Sequence, residues 1–332
     1  MRPPDIQENF FRQIKQKLPA HLSMADEIAS LLNISQDSAY RRIRGEKPLT
    51  IDETQLLASN YKISLDNFMN IKSESFLFSG ALVDKEKFRF SNYLQNMVDQ
   101  LTMIDQATHR QLFYMNKDIP IFHHFMFPEL ACFKCYFWCR YNLNYTQFNK
   151  EQFLLNDFID VFNKLGTQIS ELYLNIPSTE VWNLDCINTT IRQIDFYRET
   201  KVFQSTQDVI TIYECLEKLV DHIEQQVEFG CKFPYKKPAK QNAVKYSVYI
   251  NEFVLGDNTV AVEIDDNKVV FVNHSVMNYL MTTNKTFVDY VFETIHLLLK
   301  KSTLISNVGE KDRQLFFHTM RQRINEKKKL VY

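Results

Sequence analysis

Gln36, Asp37, Ser38, Tyr40, Arg41, Arg42, Arg44 and Lys47 crowd one short stretch of the chain. Together they can do one kind of chemistry. In the major groove of DNA, guanine offers two acceptors that a planar guanidinium can bridge, and adenine offers a donor–acceptor pair that suits an amide. Arginine and glutamine on a short helix are therefore the groups that sequence-selective contact requires. On a helical wheel Asp37, Tyr40, Arg41 and Arg44 share the face opposite Ala39 and Ile43. Phosphate clamping needs further cations at the edges, and Arg42 and Lys47 qualify. A solvated basic helix in a bundle has the same composition, so the surrounding elements must decide between the two.

Those elements lie between Leu22 and Met69. Ser23 is placed to cap a helix from Met24, with Asp26 in its first turn and Ile28, Ala29 and Leu32 on its apolar face. Asn33 falls where a turn between two helices needs a left-handed residue. Ile34 plugs that turn and Ser35 caps the next helix. Ala39 and Ile43 turn back onto the first helix, and the small Ala29 permits close approach. Gly45 ends the second helix and Pro48-Leu49-Thr50 makes a turn. Ile51–Asn60 supplies another helix, and Ile63–Phe68 begins a fifth, capped by Ser64. A five-helix domain over residues 1–70 is expected, with Ser35–Gly45 as the reading helix.

The stretch Ala29–Gly45, containing Asp37-Ser38-Ala39-Tyr40-Arg41-Arg42-Ile43-Arg44-Gly45, resembles the λ-repressor-like helix-turn-helix domains of bacterial transcription regulators. Ile43 sits one place later than the second inward aliphatic of the commonest repressors. Asp118–Phe122, Ser302–Ser306 and Arg313–Phe317 resemble parts of the long, uncharacterised C-terminal region that accompanies such domains. The resemblance implies a one-component regulator that binds double-stranded DNA, with a C-terminal region for sensing or dimerisation. Such domains usually bind as dimers, so a homodimer is expected, with a small molecule or peptide as effector. The rivals are a non-catalytic interaction scaffold and an enzyme with a DNA-binding appendage.

Other constellations are weaker. Cys132, Cys135 and Cys139, near His123 and His124, have spacings that place three sulfurs on one helical face, which is geometrically suited to zinc. Their neighbours Phe133, Tyr136, Phe137 and Trp138 favour core packing instead, so no metal is expected. Trp182, Phe196, Tyr197, Phe203, Tyr213 and Phe229 are suited to an aromatic pocket, but at helical spacing they read first as core. Arg321, Arg323, Lys327, Lys328 and Lys329 have the charge to touch phosphates, yet cations also suit a helix C-terminus. The chain has no Walker loop, Gly-x-Ser-x-Gly elbow, His-Glu-x-x-His helix or dinucleotide fingerprint, and Asp265-Asp266 lacks nucleophilic company. No catalysis and no cofactor are expected.

The 332 residues suggest about two domains. A net charge of −1 excludes indiscriminate coating of nucleic acid or anionic membrane. Only 6 Gly, against 27 Phe and 16 Tyr, argue against glycine-loop folds and turn-rich β folds, leaving a mainly α protein. The N-terminus lacks a secretory h-region, Ile119–Cys139 is too polar to span a membrane, and the scattered cysteines suit reduced thiols. A cytoplasmic protein is expected.

Beyond a linker at residues 71–84, whose Phe76, Leu77 and Phe78 are too apolar for a free tether, a helical region runs over 85–332. Helices are expected at Phe88–Ala107, Phe153–Leu165, Trp182–Glu199 and Asp208–Phe229. Val244–Val254, Thr259–Ile264 and Val269–Val272 predict a small antiparallel meander over 244–273, with turns at 256–258 and 265–267. Helices then return at Val276–Met281, Thr286–Lys300 and Glu310–Glu326, the last with capping-box spacing from Asn307 to Glu310.

Overall fold

The computed structural model describes residues 6–331, except 20–21, 64, 66–67, 69–75, 81–85, 150–151, 240–242, 254–255 and 257. The chain divides into two compact units, Met1–Leu77 and Phe78–Tyr332.

In the N-terminal unit, α1 (Ile6–Lys17), α2 (Met24–Leu32), α3 (Gln36–Ile43) and α4 (Ile51–Asn60) surround a small core. Phe10, Phe11, Ile14, Ile28, Ala39 and Leu57 are its centre. The α2–α3 turn forms because Asn33 adopts the left-handed conformation (φ 52°, ψ 49°), a region whose short polar side chain is tolerated there. The Ser35 side chain accepts from the Ser38 N–H and so caps α3. Gly45 ends the helix at φ 74°, where a Cβ would be strained. Ser23 stands at the N-cap of α2 but makes no side-chain cap bond. The expected fifth helix and its Ser64 cap lie largely outside the described residues, although the Phe68 ring packs on Phe10.

The C-terminal unit is mixed α/β, which corrects the expectation of a mainly α region with a small meander. Helix covers 57% of the chain and strand 15%. Eight strands form one sheet in the order β3-β4-β2-β1-β5-β6-β7, with β8 also on β4. They are β1 (Arg110–Met115), β2 (Ser178–Trp182), β3 (Cys231–Lys232), β4 (Val244–Ile250), β5 (Thr259–Ile264), β6 (Asn267–Ser275), β7 (Asn278–Thr282) and β8 (Thr303–Leu304). β1 and β4 both run parallel to β2, and β5 runs antiparallel to β1.

β1 and β2 therefore separate β4 from β5, so these two strands do not pair as a hairpin, and the turn expected at 256–258 lies partly outside the described residues. The meander is β5-β6-β7 instead, and Val276–Met281, expected as a helix, contributes most of β7. The tight turn at Asp265-Asp266 does form, with Asp265 at φ 50° and Ile264 paired to Asn267. Trp182 ends β2, so the following helix begins only at Cys186. The helix expected over 153–165 is displaced: Leu155–Asp157 is a single 3-10 turn, and a helix that starts at Ile159 passes through a π segment (Phe162–Gly166) into Thr167–Leu174. The capping box is absent: Gly309 is the N-cap of the last helix and no side chain caps it.

Helices cover both faces of the sheet. On one side, α5 (Phe90–Asp105), α6 (Pro128–Phe137), α7 (Cys186–Glu199), α8 (Thr206–Phe229) and α9 (Glu310–Lys328) share the main core with Leu112, Tyr114, Val248 and Val262. On the other, α10 (Lys285–Lys300) lays Val288, Phe292 and Ile295 on Phe113, Val181 and Val270. The linker expected at 71–84 is described only at 76–80. There Phe78 packs edge-on against Phe287 (5.1 Å) and Ser79 pairs with Met281, both within the C-terminal unit.

No helix among the described residues is long and apolar enough to cross a membrane.

Candidate nucleic-acid interface

Helix α3 sorts its polar side chains into two sets. Ala39 is fully buried and Ile43 half-buried, so the opposite face points to water. Gln36, Asp37, Tyr40, Arg41, Arg44 and Lys47 are exposed. The side chains of Arg41 and Arg44 are 57% and 67% accessible. Both approach Glu46, at 3.9 and 3.8 Å, distances at which an exposed pair contributes little and can be exchanged for another anion. The Arg44 guanidinium also lies 5.9 Å from the centre of the Tyr40 ring. Gln36 donates its amide to the Asp26 carboxylate on α2, which orients it at the start of the helix.

Arg42 belongs to the other set, and its expected role as an outer phosphate clamp is corrected. It is only 4% exposed. Its Nη2 and Nε bind the two Glu53 oxygens at 2.6 and 3.1 Å, and its Nη1 donates to the Ser38 hydroxyl at 2.6 Å. The Arg42 hydrogen bond is the main reason the Glu53 carboxyl is held below its usual range. Ser38, expected on the reading face, is half-buried and engaged in that pair. Glu53 also accepts from the Thr50 N–H while Thr50 accepts from Glu53, so one carboxylate caps α4 and anchors α3.

Gln7 on α1 completes the support. Its Nε2 donates to the carbonyls of Arg42 and Lys47 (2.7 and 2.8 Å), and its Oε1 accepts from the Leu49 N–H. The segment that follows the reading helix is thus clamped from α1. Neither Glu53 nor Gln7 was among the sequence candidates. Thr50-x-x-Glu53 has the capping-box pattern and was legible in principle, whereas nothing local marks Gln7.

The C-terminal unit holds the deepest charge. Glu180, on β2, is completely buried. It accepts from His123 Nε2 (3.0 Å), Trp182 Nε1 (2.7 Å), the Tyr246 hydroxyl (2.9 Å) and the Tyr173 hydroxyl. Lys232 lies 3.3 Å from the Tyr173 ring centre and donates to the carbonyls of Tyr173 and Ile176. Burial alone would raise the Glu180 pKa. His123, Lys232 and the Tyr173 hydroxyl outweigh it and hold the carboxyl at about 2. Burial pushes Lys232 down to about 7, against the pull of Glu180. Every acceptor site of this carboxylate is engaged, and the cluster is a framework of the sheet rather than an open reactive site.

The remaining constellations do not converge into sites. Cys132, Cys135 and Cys139 are buried thiols that desolvation pushes upward, and Cys139 Sγ contacts Met277 Sδ at 3.6 Å. His123 is held by Glu180, and His124 Nδ1 faces the Pro120 carbonyl. Trp182, Tyr197 and Tyr213 are core, while Phe196 and Phe229 are exposed. The basic end of α9 is occupied within its own unit: Arg321 pairs with Asp221 and Glu224, Lys327 with Asp195 and Lys328 with Glu217. No protein-family model matches the chain, and no curated protein or solved structure matches it either.

Proposed function

We propose that the N-terminal unit is a helix-turn-helix that binds double-stranded DNA sequence-selectively, and that the chain is a one-component transcription regulator acting in the cytoplasm. The observation that carries this reading is the division of the α3 arginines. Arg42 is locked inward by Glu53 and Ser38, and Arg41 and Arg44 project outward beside Tyr40 from a helix that is capped and clamped. A helix held this rigidly loses little further freedom when it docks. Arg41 is assigned to guanine edges, Gln36 to adenine, and Arg44 and Lys47 to phosphates, with Asp37 and Tyr40 at the margin of the contact. One such helix reaches few bases, so the working form is a homodimer on half-sites about one helical turn apart, with the dimer contact in the C-terminal unit.

The test is selection of genomic fragments on the full-length protein, followed by titration of a selected duplex and a scrambled one at several salt concentrations. Selective, salt-dependent binding is expected, and Arg41→Ala with Arg44→Ala should weaken it by about 100-fold or more while leaving the circular dichroism unchanged. Equal affinity for both duplexes, or unchanged affinity in the double variant, overturns the assignment and leaves the protein-contact scaffold.

A further inference from the structure

The C-terminal unit contains a cavity of about 480 Å3 between α5 and the β1-β5-β6-β7 half of the sheet. Voids in packed cores are few and close to water-sized, whereas spaces of this volume are typical of ligand sites. None of the Glu180 cluster lines it.

Its shape follows from the helix. Tyr93, Met97, Leu101 and Ile104 recur at intervals of four, four and three, so they form one apolar stripe along α5. At 1.5 Å per residue that stripe is roughly 16 Å long. The facing wall is equally apolar, with Leu112 from β1, Val260 and Val262 from β5, and Phe271 from β6. A second stripe, Asn92, Asn96 and Gln100, runs beside the first at the exposed margin. The cavity is therefore long, greasy inside and polar along one lip.

Its charge is one-sided. Arg89 and Lys87 line the end where α5 begins, and no acidic side chain is among the described lining residues. Arg89 is exposed and donates one N–H of Nη1 to the neighbouring Phe88 carbonyl (2.8 Å), which leaves other guanidinium donors for a ligand. A cation at the mouth of an apolar tunnel selects an occupant with one anionic end and a long hydrocarbon body.

We propose that this cavity binds a free long-chain carboxylate, with the hydrocarbon along the Tyr93–Ile104 stripe and the carboxylate at Arg89. The amide lip and the tyrosine hydroxyls tolerate polar substituents on the chain but do not replace the anionic anchor. This binding does not depend on the DNA reading and is measured without DNA.

Full-length, delipidated protein is titrated calorimetrically with hexadecanoate, 1-hexadecanol and octanoate, all below their aggregation limits. One hexadecanoate per chain is expected, with the alcohol and the short acid each weaker by about tenfold or more. Arg89→Gln, a change at an exposed position, should cost hexadecanoate about tenfold and leave hexadecanol unchanged. Met97→Trp should fill the cavity and remove binding of both, with thermal unfolding run in parallel to verify the fold. The proposal is overturned if hexadecanoate fails to saturate, if the alcohol binds as tightly as the acid, or if Arg89→Gln leaves hexadecanoate affinity unchanged.

Discussion

In the N-terminal unit the buried Arg42 pairs with a carboxylate whose side chain is still 18% exposed, whereas in the C-terminal unit Glu180 is withdrawn from water completely. The difference follows from core size. A few buried residues around Phe10, Ile28 and Leu57 cannot supply enough fixed donors to replace the hydration of an interior ion, so the pair stays near the edge. The larger core surrounds Glu180 with His123, Tyr173, Trp182 and Tyr246, and each of them gives the carboxylate a hydrogen bond. In neither unit is the buried charge the one assigned to binding. It fixes a framework, and the side chains assigned to outside partners, Arg41, Arg44 and Arg89, are exposed.

The largest effect should come from breaking the interior cluster. Glu180→Ala leaves Lys232 without its counter-charge and the donors of His123, Tyr173, Trp182 and Tyr246 without their acceptor, and should cost the C-terminal unit about 3–5 kcal/mol. Urea unfolding followed by tryptophan fluorescence reads this unit selectively, because both tryptophans, Trp138 and Trp182, lie in it. A cost no greater than that of breaking the Arg42–Glu53 pair would place the two buried charges on the same footing and remove the contrast.

Acid should separate the units next. A carboxyl whose folded pKa is about 2, against an ordinary 4.5, adds stability that is complete above pH 4.5 and is lost as pH falls towards 2. The loss from Glu180 should reach roughly 3 kcal/mol over that window. Wild type and Glu180→Gln unfolded at pH 6 and at pH 3 should therefore differ less at the lower pH. A constant difference would show that the carboxylate is not the titrating group.

The smallest effect sharpens the contrast within α3. Arg42→Ala should destabilise the N-terminal unit by about 1–3 kcal/mol, since Glu53 and Ser38 lose their partner. Arg44→Ala should change its stability by less than about 0.5 kcal/mol. Helical circular dichroism against denaturant distinguishes them, and equal costs would mean that inner and outer arginines are not sorted as described.

Much of the N-terminal unit could be read directly from neighbouring residues. The left-handed Asn33, the Ser35 cap, the Gly45 stop and the inward Ala39 depend on interactions within a few positions, and such signals survive without knowledge of the fold. The Asp265-Asp266 turn was legible for the same reason. The inward turn of Arg42 was not, because its partner Glu53 comes from another helix and the wheel around α3 shows only a row of arginines.

The sheet marks the sharper limit. β1 is buried along Leu112–Met115 on both faces and so lacks the alternation that marks a half-exposed strand. β2 hides a glutamate in its middle, which reads as surface until His123, Tyr173 and Tyr246 are brought to it from distant segments. By itself the sequence determined where chains turn, where helices are capped and which short segment gathers outward cations, since those are local free energies. Only the tertiary structure decided that β1 and β2 lie between β4 and β5, that Glu180 is satisfied in the interior, and that α5 stands off the sheet far enough to leave a cavity. Each of those depends on which distant side chains share a face, and pairings across parallel strands joined by long crossovers leave no local period in the sequence.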